Sequence, residues 1–160
     1  RLAAARLLLW LAAVFLPLQG QAADAIDKIG APGASNPIKN SNQEKTRMWM
    51  SIGTQRFSVV LEGNAAARAF EQMLPVTFEM TELNGNEKFV RLPRSLPTNA
   101  SRLGTLRVGD VVLYGDNTVV VFYETFQSGY SYTRLGRVVE ADGLAKALGK
   151  GNPRVSFATQ

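Results

Sequence analysis

The sequence predicts a mainly β protein, a small closed β-barrel with two short helices. Three observations lead there. Short runs alternating apolar and polar residues recur through residues 46–160, too closely spaced to leave room for regular crossover helices. Turn formers punctuate those runs at Gly53-Thr54, Asn84-Gly85-Asn86 and Gly115-Asp116-Asn117. The two segments with helical character are brief, and Pro75 and Gly149 stop them.

Residues 1–22 read as a signal peptide. Arg1 and Arg6 supply a positive start, residues 7–18 form the apolar run LLLWLAAVFLPL, and Gly20-Gln21-Ala22 offers small residues for cleavage. The run is shorter than the roughly 20 residues of a spanning helix. Cleavage after Ala22 removes two of the 18 basic residues and none of the 13 acidic ones, so the remainder stays basic. A periplasmic or secreted location follows as an expectation. Residues 23–45 carry Gly30, Pro32, Gly33, Pro37 and the five polar residues Ser35, Asn36, Asn40, Ser41 and Asn42, with few large apolar side chains. That composition suits a flexible linker.

The domain is expected over residues 46–160. Met48, Met50 and Ile52 share one face of a first strand, and Phe57, Val59 and Leu61 one face of a second. Trp49 falls opposite the methionines and, if exposed, is a natural residue for self-association. Asn64 is placed to cap a helix over residues 65–74 with Phe70, Met73 and Leu74 as its apolar stripe. Residues 76–83 alternate again and predict one strand. Residues 88–107, interrupted by Pro93 and Pro97, predict a long irregular loop, a place where function often sits. Strands are expected at residues 111–114, 118–123, 135–140 and 155–157. A second helix is expected over residues 143–148, capped by Asp142.

Residues 113–137 carry the candidate site. Thr118 to Tyr123 is almost all β-branched or aromatic and suits a buried strand. A polar loop at residues 127–131 follows, with Phe126, Tyr130 and Tyr132 around it and Arg134 just beyond. Aromatic faces with hydroxyl tips beside a cation are the parts of a concave binding site. The expected ligand-binding set is Tyr123, Phe126, Tyr130, Tyr132 and Arg134, with Asn117 and Lys88 as further contacts. Arg134 is the candidate catalytic residue. The competing structural reading pairs Arg134 with Asp116 or Glu124, leaves Lys88 as a solvated loop lysine and uses Asn117 only in its turn.

Composition narrows the chemistry. The chain has no cysteine and no histidine. This removes disulfides, a thiolate nucleophile, the commonest metal ligand and the usual general base at neutral pH. No cofactor or metal is expected. Asp110 and Asp116 sit at the two ends of one strand and read as turn residues rather than an acid–base pair. Arg91, Arg94, Arg102 and Arg107 form a basic set whose simplest role is solvation. The same set could instead meet an acidic partner or a membrane surface; an exported protein seldom meets nucleic acid, so no nucleic acid is expected as a partner, nor a membrane once the signal is removed.

Five stretches in order resemble a family: LNGNEK at 83–88, LPRSLPTNA at 92–100, GDVVLYGDNTVVVFY at 109–123, SGYSYTRLGRV at 128–138 and GLAKALGKGN at 143–152. Together they resemble the bacterial cyclophilin-like domain family, across residues 47–157. The resemblance implies a reduced cyclophilin-fold barrel. Cyclophilins pair a catalytic arginine with a phenylalanine, a glutamine and a histidine. This chain lacks histidine and any string matching the arginine motif. Fold alone does not carry activity. Three readings therefore stand: a module binding a peptide or small molecule at the barrel mouth, a weak peptidyl-prolyl isomerase or folding helper, and a structural domain.

Overall fold

A computed structural model describes residues 45–160; the expected signal peptide and all but the last residue of the expected linker lie outside them. Ten strands and two helices make up the described residues. They are β1 (Arg47–Ile52), β2 (Gln55–Leu61), α1 (Ala65–Glu71), β3 (Val76–Glu79), β4 (Thr81–Leu83), β5 (Glu87–Arg91), β6 (Ser101–Leu106), β7 (Asp110–Tyr114), β8 (Thr118–Phe122), β9 (Phe126–Val138), α2 (Leu144–Leu148) and β10 (Arg154–Thr159). Nine strands follow the order β3-β10-β1-β2-β9-β7-β8-β5-β4, and β6 pairs with β9 off that path. All pairings are antiparallel. The two ends of the order, β3 and β4, are separated in sequence only by Met80, whose N–H donates to the Pro153 carbonyl at 2.9 Å. One bent strand thus closes the sheet into a nearly complete barrel, as predicted, and leaves little free edge.

Alternation decides what the barrel encloses. Met48, Met50, Phe57, Val59, Val111, Leu113, Val119, Val121, Val155 and Phe157 point into one core, joined by Ala66, Ala67 and Phe70 of α1 and by Leu144 and Leu148 of α2. Asn64 caps α1 as expected, its Oδ1 accepting from Ala67 N at 2.8 Å. The helix is shorter than predicted, because Met73 and Leu74 lie in the turns that follow it. Gly143, not Asp142, precedes α2, without a side-chain cap.

The expected irregular loop over residues 88–107 is overturned, since it contains most of β5 and all of β6. Strand β5 hides its period because Lys88, a charge, takes an inward position, while β6 carries Gly104 at a register shift against β9. Apart from Arg107, the part without regular structure is residues 92–100. They are pinned by Leu92 N to Asn117 O at 2.7 Å, Leu96 N to Asp116 O at 2.7 Å and Ser95 Oγ to Asp116 Oδ2 at 2.7 Å. The expected polar loop at residues 127–131 is also overturned, because these residues belong to β9. The first half of β9 pairs with β6, the second half with β7 and its last residues with β2. The β6–β9 arm packs over the outer face of the barrel. A second apolar cluster forms beneath it from Leu106, Val112, Val120, Phe122 and Tyr132, with Phe89, Leu103 and Phe126 against it.

Candidate functional site

The outer face of β5 and β8 beside this arm carries a groove of about 380 Å³, within the range of small-ligand sites. Strand pairing builds it row by row. Arg91, Thr118, Tyr114 and Tyr132 align across the sheet, then Phe89, Val120 and Val112, then Glu87 and Phe122. Phe89 and Val120 line the middle of the groove, Tyr114, Tyr130, Tyr132 and Phe126 line it from the β7 and β9 side, and Leu83, Asn84 and Asn86 complete it from the β4–β5 turn. The tyrosines brace one another: the Tyr114 ring lies 5.9 Å from Tyr130, nearly perpendicular, and 5.7 Å from Tyr132. Tyr132 also meets Phe122 edge-on at 5.8 Å. Burial holds the Tyr132 phenol above its usual pKa, so it stays a neutral wall near neutral pH.

A profile of a cyclophilin-like family matches residues 50–158. The chain belongs to that family. Among solved structures, a hypothetical protein from Archaeoglobus fulgidus, determined in solution, superposes with a TM-score of 0.51 at 16% identity, covering 72% of this chain and 95% of that one. At that identity the likeness concerns fold alone. A search of curated proteins returned no significant match.

The barrel of this cyclophilin-like protein separates the residues expected to act together. Phe126, Tyr130 and Tyr132 do meet at the groove. Tyr123 does not; it belongs to the inner core, and its hydroxyl donates to Glu82 at 2.8 Å. Arg134 does not line the groove either. Its guanidinium lies 3.5 Å from Asp110, a partner the sequence reading did not consider, and Arg137 approaches the same carboxylate oxygen at 3.5 Å. Asp110 also accepts from Arg107 N at 2.9 Å, which is its expected turn role. Asn117 stays in its turn, its Oδ1 accepting from the Thr118 hydroxyl at 3.4 Å.

Lys88 is neither a groove contact nor a solvated loop lysine. Its side chain is 0% exposed and its ammonium pairs with Glu82. It also donates to the carbonyls of Gly149 at 2.8 Å and Gly151 at 2.7 Å. The Tyr123 ring sits 5.2 Å from the same ammonium. Burial pushes the Glu82 carboxyl up, but hydrogen bonds from Lys88, Tyr123 and Gly85 outweigh it and hold the group below its ordinary value. Burial and the Glu82 carboxylate together push the Tyr123 phenol up to about 12. This network ties the chain after α2 to β4 and β5, across the closure of the barrel.

Sequence reasoning missed Phe89, Val120, Tyr114, Glu87 and Arg91 as groove residues. The alternation Glu87, Phe89, Arg91 was the available signal, obscured by Lys88 between them. Chemically, the groove offers aromatic faces, one carboxylate and one guanidinium. Among the described residues no three His, Cys, Asp or Glu side chains gather as a metal site, and no helix is long and apolar enough to cross a membrane.

Proposed function

We propose that this cyclophilin-like barrel is an exported binding domain that takes a short peptide or comparable small molecule in the groove between β5, β8 and the β6–β9 arm. One observation supports the reading above others. Tyr130 is 64% exposed and Tyr114 46% exposed, yet both are held edge-to-face beside an apolar floor. Aromatic faces fixed in water beside a cavity gain burial when a guest arrives, at little cost in side-chain entropy. The site differs from the expected one in its cation, which is Arg91 in place of Arg134. The test is titration of the ¹⁵N-labelled protein with short aromatic peptides. The expected result is saturable shifts at Phe89, Tyr114, Tyr130 and Tyr132, and binding weakened at least tenfold in Tyr130→Ala with an unchanged melting temperature. An absence of shifts at millimolar peptide overturns the proposal. Export predicts that a periplasmic fraction yields a chain starting near Ala23, which N-terminal sequencing reads directly; an uncleaved start refutes it.

A second reading, weak peptidyl-prolyl isomerisation, is favoured by Arg91 lying in the same lining as Phe89 and Val120. That reaction needs an apolar seat for the proline ring and a donor to the amide nitrogen as resonance is lost. A protease-coupled assay with a proline peptide should then show acceleration that Arg91→Gln abolishes. A rate equal to the uncatalysed one removes this reading and leaves the binding reading intact.

A further inference from the structure

The groove has a direction. Glu87, Phe89 and Arg91 occupy alternate positions of β5, and all three line the groove. Two residues per period and about 3.3 Å per residue put the acid and the base roughly 13 Å apart along the strand, with an apolar stretch between. Among the described residues, neither the Glu87 carboxylate nor the Arg91 guanidinium has an ion-pair partner, whereas Lys88, Arg134 and Arg137 are paired. At the Glu87 end the lining includes Asn86, whose Oδ1 is sealed from solvent and has no hydrogen-bond partner among the described residues. Buried acceptors are nearly always satisfied, and one left open is destabilising. Sealed as it is, that oxygen does not face the groove, so the acceptor a guest meets at this end is the Glu87 carboxylate. At the other end, Arg91 sits in the row with Thr118 and Tyr114, and its guanidinium is a donor-only group.

Resting on the binding reading above, we infer that the occupant is a short peptide of three or four residues with both termini free, its ammonium at Glu87 and its carboxylate at Arg91. The span matches, because three to four extended residues reach roughly 10–14 Å. The apolar middle matches a pair of side chains laid over Phe89 and Val120 and flanked by Tyr130 and Tyr132. A charged ligand end meeting its partner in a half-closed groove forms charge-assisted hydrogen bonds, stronger than neutral ones.

The experiment uses the tetrapeptide alanine–phenylalanine–phenylalanine–alanine in four forms: free, N-acetylated, C-amidated and blocked at both ends. Affinities are read by calorimetry or by shift titration against the full domain. The free form is expected to bind most tightly. Acetylation should weaken it about tenfold or more, and amidation likewise. The acetylation loss should vanish in Glu87→Gln and the amidation loss in Arg91→Gln, each variant melting within a degree or two of the parent. Equal affinity for all four forms overturns the inference while sparing the binding reading. Losses that persist unchanged in the two variants overturn it as well, since the ends would then be read elsewhere. Failure of every form to bind at millimolar concentration takes the binding reading down with it.

Discussion

Lys88 occupies an inward position of β5 that an apolar residue would ordinarily fill. One carboxylate and two carbonyls surround its ammonium and take up its three N–H donors. Removing one member of a buried ion pair strands the other, which typically costs 3–5 kcal/mol; Glu82 retains some solvent access, so the lower end applies. We predict that Lys88→Met lowers stability by about 3 kcal/mol in urea unfolding. A loss under half a kilocalorie would show the network to be decorative. Tyr123 carries a separate signature. Its phenol is raised from 10.0 to about 12 by burial first and then by Glu82. The folded state therefore holds this proton more tightly than the unfolded chain. The associated stability is complete below pH 10 and disappears as pH rises through about 12. Melting temperature should fall across that window, and Tyr123→Phe should flatten the fall. An equally steep fall in the variant would place the alkaline sensitivity on another group.

At the scale of the element, β9 joins arm to barrel. Its thirteen residues serve β6, β7 and β2 in succession. It passes from β6 to β7 at Tyr132, which pairs with both Ser101 and Tyr114, and Leu135 then interrupts the register against β7 just before β2 joins at Gly136. Gly136 lets β2 come this close, because a Cβ there would stand 2.5 Å from the Val60 carbonyl oxygen, which as backbone cannot move aside cheaply. Gly136→Ala should destabilise the domain by about 2–3 kcal/mol, measured by denaturant midpoint at constant slope. A neutral result would mean that β2 and β9 are less closely joined than their pairing indicates. The β4–β5 turn follows a local rule instead. Asn84 and Gly85 both have positive φ, at 56° and 71°, a conformation that asparagine and glycine tolerate best. That turn was legible as Asn84-Gly85-Asn86. The β6–β9 arm was not, because apart from Tyr130 its exposed residues are serine, glycine, glutamine and Arg102, and a polar strand lying over a barrel has the composition of a loop.

For the whole molecule, closure is what converts a set of strands into a domain with two distinct faces. The inner face buries both methionines of β1, Val111 of β7, Val119 and Val121 of β8 and the apolar sides of both helices. The outer face of β5, β7 and β8 would be open to water without the arm. The arm covers the part over Phe122 and Val112 and leaves the part over Phe89 and Val120 as the groove. This is why thinning the groove wall should alter binding without altering the melting temperature: Tyr130 is largely exposed and lies outside both clusters.

The barrel class, most of the strands, the cap at Asn64 and the gathering of Phe126, Tyr130 and Tyr132 were legible in the residues. Each of these follows from local periodicity, turn chemistry or short chain separation. Tertiary structure alone decided that Tyr123 faces inward to Glu82, that Arg134 turns to Asp110 and that Lys88 is buried. It also set Arg91 and Glu87 on the groove in their stead. The physical reason is register. Which side chains meet across a sheet depends on pairings between strands distant in sequence, and a shift of one residue exchanges the two faces.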